Sequence, residues 1–153
     1  FFFKQKTAYE IPKRDWSSDV CSSDLGGSGD VTESNVVWKN DKGTSFVPSA
    51  ILVGDRYYIA DDKGIGSCLD AHTGKTLWRK RFGDKFTASP VAADGKVFFT
   101  NEAGSTLVLD ATQAEYVELA RNDLNEEVYA SAAISQGRFF VRTAKQLVCI
   151  GTK

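Results

Sequence analysis

VPSAILVGDRYYIADDKG (47–64) is followed 40 residues on by TASPVAADGKVFFTNEAG (87–104) and a further 42 on by YASAAISQGRFFVRTAKQ (129–146). Ser49, Ser89 and Ser131 fall in register, as do Arg56, Lys96 and Arg138. A second landmark trails each segment: SCLDA (67–71), LVLDA (107–111) and VCIG (148–151). Trp38 and Trp78 are also 40 apart, each between an aliphatic and a basic residue. Self-similarity at this period marks an array of supersecondary units that bury their faces on one another.

Within a unit the residues spell short strands. Tyr57-Tyr58-Ile59, Val97-Phe98-Phe99 and Phe139-Phe140-Val141 are unbroken aromatic and β-branched runs, as expected of strands covered on both faces. Each is preceded by a turn pair, Gly54-Asp55, Asp94-Gly95 or Gln136-Gly137, suited to a tight hairpin. Further strands are expected to end at Leu69 and Leu109, and a fourth to carry Leu77 and Trp78, or Tyr116 to Leu119. No helical periodicity is sustained. The predicted fold is all-β: a partial propeller of about three four-stranded antiparallel blades, the last incomplete. The Trp-Asp dipeptide and Gly-His pair of WD-type blades do not occur.

Residues 1–25 stand apart. Lys4 to Ile11 and Arg14 to Leu25 resemble a reading frame through the constant segments of a sequencing adapter, with Pro12 and Lys13 where its barcode falls. Phe1 to Phe3 is too short for a signal-peptide core, and Asp15, Asp19 and Asp24 interrupt the remainder of the segment. The chain has no methionine. The expected organisation is a non-native, disordered 1–25 and a propeller segment over 26–153. Its blades are placed at about 46–85, 86–127 and 128–153, with 36–39 as the last strand of a preceding blade. Gly26-Gly27-Ser28-Gly29 is expected to be a connecting loop and Lys153 the natural C-terminus.

The formal charge of −1 is unchanged when the four basic and four acidic residues of 1–25 are removed, so no basic footprint points to nucleic acid. No apolar run approaches the ~18 to 20 residues of a membrane helix. Outside 1–25 the cysteines are Cys68 and Cys149, too few for a disulfide framework.

CLDAHTGKTLW (68–78) resembles the blade motif of the propeller family named after pyrroloquinoline quinone, with Asp70, Ala71, Thr73, Gly74, Lys75 and Trp78 on the pattern. The next unit keeps Asp110-Ala111 but continues TQAEYVEL, losing the Thr-Gly-Lys turn and the tryptophan, while Trp38 marks a preceding blade. Physical roles can be given to these residues without the family. Asp70 and Thr73 can cap a turn, Gly74 suits a left-handed position and Trp78 can fill space between sheets.

The resemblance implies three readings. The first is a non-catalytic binding or assembly scaffold similar to the outer-membrane assembly lipoproteins of this family, extracytoplasmic or periplasmic, with protein partners or the missing blades as its contacts. The second is a quinoprotein alcohol or sugar dehydrogenase, the only one of the three that brings in pyrroloquinoline quinone and calcium. Its alcohol-oxidising members carry adjacent cysteines, and this chain has no such pair. The third is a sensor propeller attached to another domain.

No residue is nominated as catalytic, cofactor-binding or metal-binding. His72 is the only histidine and sits in a turn beside Asp70. Asp61-Asp62 with Asp70 lacks calcium-loop spacing, and Gly64-Ile65-Gly66 lacks the following helix of a phosphate cradle, so it is expected to be a turn. Recognition is left to rim loops or the axial opening. An arc of three blades is expected to expose an apolar face at each end and to be marginally folded or to associate.

Overall fold

The computed structural model describes residues 19–22 and 36–151. Four sheets are present among them, every strand pair antiparallel. β1 (Asp19–Ser22) pairs with β2 (Val36–Asn40). The first blade is β3 (Ile51–Val53), β4 (Arg56–Ala60), β5 (Ile65–Asp70) and β6 (Thr76–Arg81), hydrogen-bonded in sequence order. The second repeats this with β7 (Val91–Ala93), β8 (Lys96–Thr100), β9 (Ser105–Asp110) and β10 (Glu118–Asp123). The third has β11 (Ala133–Ser135), β12 (Arg138–Arg142) and β13 (Leu147–Ile150). This is the expected propeller arc with an incomplete last blade. Of residues 1–25, the described Asp19–Ser22 form β1. The rest of 1–25, the Gly26 to Gly29 stretch and Lys153 lie outside the described residues.

The hairpin turns have the chemistry their residues promise. Asp94 and Gly95 take φ of 49° and 69°, and Gln136 and Gly137 take 50° and 69°, positive at both central positions. Such turns follow the right-handed twist of the flanking strands. Gln136 holds this conformation against its own Cβ.

Alternation along each strand divides a blade into two apolar faces. Tyr58, Cys68 and Trp78 are directly opposite one another on β4, β5 and β6, and they face the second blade. From that blade, Val97, Phe99, Leu107 and Leu109 face back, all 2% exposed or less. Phe82 and Phe86, from the connection between the blades, close this core, with the rings of Phe82 and Phe99 5.1 Å apart. The next interface repeats the plan: Phe98 lies 5.2 Å from Phe139, and Val108, Val128 and Val141 are buried. Two-sided burial is why the central strands lack polar alternation.

Gly66 does not belong to the preceding turn as expected; only Gly64 does, at φ 83°, while Ile65 and Gly66 open β5. A Cβ on Gly66 would lie 1.9 Å from the Phe82 ring, so the glycine makes the room that the phenylalanine fills. Tyr116 is likewise not in the fourth strand. The backbone N–H of Asp70 bonds to the Lys75 carbonyl, whereas that of Asp110 reaches Val117, so the second turn is longer and Tyr116 lies within it.

A one-sided hydroxyl ladder also crosses the blades. The Ser49 backbone N–H donates to Ser89 Oγ at 2.8 Å, and the Ser89 N–H donates to Ser131 Oγ at 2.9 Å. The serines that set the repeat register are thus bonded to each other at the entrances of successive first strands.

Replacing Phe82 with Ala is expected to cost about 3–5 kcal/mol in urea unfolding. Gly66→Ala should be strongly destabilising alone and much less so on top of Phe82→Ala; additive costs would show that the two do not share one space. Gln136→Gly should stabilise by about 0.5–1 kcal/mol through release of its left-handed strain.

Candidate functional site

Two regions carry the named motif residues and the accessible polar groups. At the β5–β6 turn, Asp70 Oδ1 accepts from the N–H groups of His72 (3.1 Å) and Thr73 (2.8 Å) and from the Thr73 hydroxyl (2.7 Å). Gly74 comes next at φ 69° and donates to the Asp70 carbonyl. At β9–β10, Asp110 Oδ1 accepts from the Thr112 N–H and hydroxyl. Both carboxyls lie below their usual range, chiefly because the threonine hydroxyls bond to them. Lys75 is exposed on the turn, and His72 Nε2 lies 3.1 Å from the exposed carboxylate of Asp55.

Trp38 shows what such a turn is for. Its indole lies against Gly74, where a Cβ would come 2.6 Å from the ring, and its Nε1 donates to the Ala71 carbonyl at 2.8 Å. The outer strand of one sheet is thereby pinned to the turn of the next. Trp78 occupies the same place one unit later, where Ala114 stands at the repeat position of Gly74, and it packs edge-on against Tyr116 at 5.2 Å. The Ala111 carbonyl, equivalent to that of Ala71, accepts from Arg56 Nη1 at 2.8 Å. Trp78 Nε1 is buried without a partner among the described residues. In the second blade this line of tryptophans ends, because Ala120 of β10 stands opposite Val108 of β9 as Trp78 of β6 stands opposite Cys68 of β5.

A family model described as outer membrane protein assembly factor BamB matches residues 27–117. The chain belongs to this family. A curated BamB of Burkholderia pseudomallei (strain K96243) is 28% identical over 103 residues, which is 67% of this chain and 26% of that protein. The chain therefore spans about a quarter of that relative. Among solved structures, BamB from Moraxella catarrhalis aligns with a TM-score of 0.65 at 19% identity, over 76% of this chain and 37% of its own. The quinohemoprotein alcohol dehydrogenase ADHIIG from Pseudomonas putida HK5 aligns at 0.57 and 16% identity, over 70% and 24%. Both structural likenesses are of fold.

On this BamB-type scaffold the polar end of the blades forms a cleft of about 290 Å³ lined by Asp84, Lys85, Glu102, Ala103, Glu127 and Tyr129. It is built by the two blade-connecting segments and the β8–β9 turn, which backbone bonds lash together: Glu102 N–H to the Lys85 carbonyl and Val128 N–H to the Glu102 carbonyl. Tyr129 is half exposed, and its phenol is raised chiefly by the Glu127 carboxylate. Sequence reasoning assigned recognition to rim loops without naming these residues. Their only advance signal is the acidic pair Glu126-Glu127 beside an aromatic residue.

The carboxylates weighed for a cation are used locally. Asp61 Oδ1 accepts the N–H groups of Lys63 and Ile65, Asp62 those of Phe46 and Val47, and Asp70 caps the turn at the far end of β5. No three His, Cys, Asp or Glu among the described residues are disposed around a metal. Cys68 and Cys149 hold equivalent positions, opposite Tyr58 and Phe140, but in different blades. Cys68 is fully buried, and burial pushes its thiol up to about 11; Cys149 is exposed.

Trp38→Phe should cost about 1 kcal/mol more than Trp78→Phe in denaturant unfolding, since only the former strands a carbonyl. Equal costs would mean that both indoles are bonded. The depressed Asp70 and Asp110 carboxyls contribute stability above the unfolded carboxylate range, near about pH 4, and lose it as pH falls through their lower folded values. Melting temperature should therefore drop on acidification from about pH 5 to about pH 3, with a shallower slope in Asp70→Asn/Asp110→Asn.

Proposed function

We propose that these blades belong to a non-catalytic propeller that serves as a binding and assembly scaffold for outer-membrane proteins, on the extracytoplasmic side. The observation that carries this reading is the BamB family match over residues 27–117, together with strands whose apolar side chains go into blade-to-blade packing. What remains free to meet a partner is the loop end, where the Asp84, Glu102, Glu127 and Tyr129 cleft lies. Protein partners suit that surface: an exposed aromatic ring ringed by carboxylates offers an anchor and an electrostatic rim. No helix among the described residues is long and apolar enough to cross a membrane.

The test uses the complete gene from which these blades come, expressed in a bacterium lacking its own BamB. Restored outer-membrane protein assembly is expected, with the effect weakened by Tyr129→Ala and Glu127→Lys while the folded protein persists. Failure to restore assembly, or quinone-dependent oxidation of an alcohol by the purified protein loaded with calcium, would overturn the scaffold reading.

A further inference from the structure

The cleft at the loop end departs from the repeat that builds it. At the chain's spacings of 40 and 42 residues, the counterparts of Asp84, Glu102, Glu127 and Tyr129 one unit earlier are Thr44, Asp62, Lys85 and Thr87, and Lys63 stands where the cleft has Ala103. The earlier set holds one carboxylate, two ammonium groups and no ring. Its carboxylate, Asp62, is taken up by the N–H groups of Phe46 and Val47. The cleft instead holds three carboxylates against the single Lys85 ammonium, a formal charge of −2, together with a tyrosine. Blade packing is met by both sets, so it does not call for the acidic one. The walls come from the second blade and the connections on either side of it, and the cleft therefore does not depend on what adjoins the ends of the arc.

The negative charge is not cancelled in place. Among the described residues no ion pair holds Asp84, Glu102 or Glu127, and Lys85 beside them forms none. Glu102 accepts from the Thr87 hydroxyl at 2.5 Å, which fixes its side chain at the wall. The Glu127 carboxylate and, more weakly, that of Glu102 raise the Tyr129 phenol, so both come close to the ring. Tyr129 is half exposed, and Asp84 and Glu127 are exposed as well. An accessible ring beside uncancelled carboxylates suits a cation with a flat face. A guanidinium meets both demands: its forked N–H groups match carboxylates, its plane stacks on an aromatic ring, and it sheds water more readily than an ammonium group.

We infer that the cleft receives an arginine side chain of the protein partner, its guanidinium stacked on Tyr129 and bonded to Glu127, with Glu102 and Asp84 supplying the surrounding negative charge. The inference rests on the scaffold reading for the kind of partner, a protein, and adds the chemistry by which this surface selects one. Lys85 turns the preference into discrimination, since it repels a cation that the carboxylates and the ring do not hold together.

The experiment titrates a terminally blocked Gly-Ser-Arg-Ser-Gly peptide into the complete protein that contains these blades. Its tyrosines are isotope-labelled for nuclear magnetic resonance, and the Tyr129 ring signal is identified by its loss in Tyr129→Phe. A saturable shift of that signal is expected, with affinity at least about tenfold higher than for the same peptide carrying citrulline, a neutral isostere, and lower in raised salt. A lysine peptide should bind about three- to tenfold more weakly than the arginine one. Glu127→Gln should weaken binding about two- to fivefold, with unchanged signals from the other tyrosines showing that the variant is folded. The readout is separate from outer-membrane protein assembly: arginine binding without restored assembly would keep this site and remove the scaffold reading, and restored assembly without arginine binding would do the reverse. An unmoved Tyr129 signal, a citrulline or lysine peptide binding as tightly as the arginine one, or full affinity in Glu127→Gln would each overturn the inference.

Discussion

Everything in this structure depends on the burial of both faces of each small sheet by its neighbours. A three- or four-stranded sheet of five-residue strands has little capacity to stand alone in water. The central core is accordingly assembled from two blades and their connection: Tyr58 and Cys68 from one, Val97, Phe99, Leu107 and Leu109 from the other, Phe82 and Phe86 between them. Phe82 reaches its place only because β5 has a glycine at position 66. A residue of the connection thus becomes the keystone of the interface it connects, and stability is a property of adjacent pairs of blades.

Around that core, the same structural task is solved in two chemical ways. Trp38 pins its strand to the next turn through stacking on Gly74 and a bond to the Ala71 carbonyl. One unit later the glycine is gone, the turn is longer, Tyr116 fills the space beside Trp78 and Arg56 supplies the donor to the Ala111 carbonyl. A backbone carbonyl at a blade junction needs a partner, and the replacement of indole by guanidinium shows the requirement persisting while the residue changes. Asp61, Asp70 and Asp110 spend their carboxylates on turns, and the Cys68 thiol is packed. These groups are committed to the turns and packing of the blades, which leaves the connecting loops as the more accessible polar surface.

Much was legible in the chain. The strand triplets, the Asp-Gly turn and the period near 40 came from local rules, since side-chain alternation and turn dihedrals are properties of a few consecutive residues. The motif residues Asp70, Thr73 and Gly74 sit together in one turn because the bonds joining them span only a few positions. The place of Tyr116 in the turn was not legible: TQAEYVEL reads equally well as turn or strand, and only the pairing of β10 with β9 sets the boundary. The cleft of Asp84, Glu102 and Glu127 was hidden for the same reason, its lining coming from segments far apart in sequence.

The sequence by itself determined the repeat, the all-β blade and the register of Ser49, Ser89 and Ser131, because these depend on spacing along the chain. Tertiary structure alone decided that those serines bond to one another, that Cys68 is sealed while its equivalent Cys149 is open, and that Arg56 stands in for an indole. Burial and cross-blade hydrogen bonds depend on which surface lies opposite. That is set by how neighbouring blades meet, and identical positions in the repeat acquire different environments according to whether a neighbour is there to cover them.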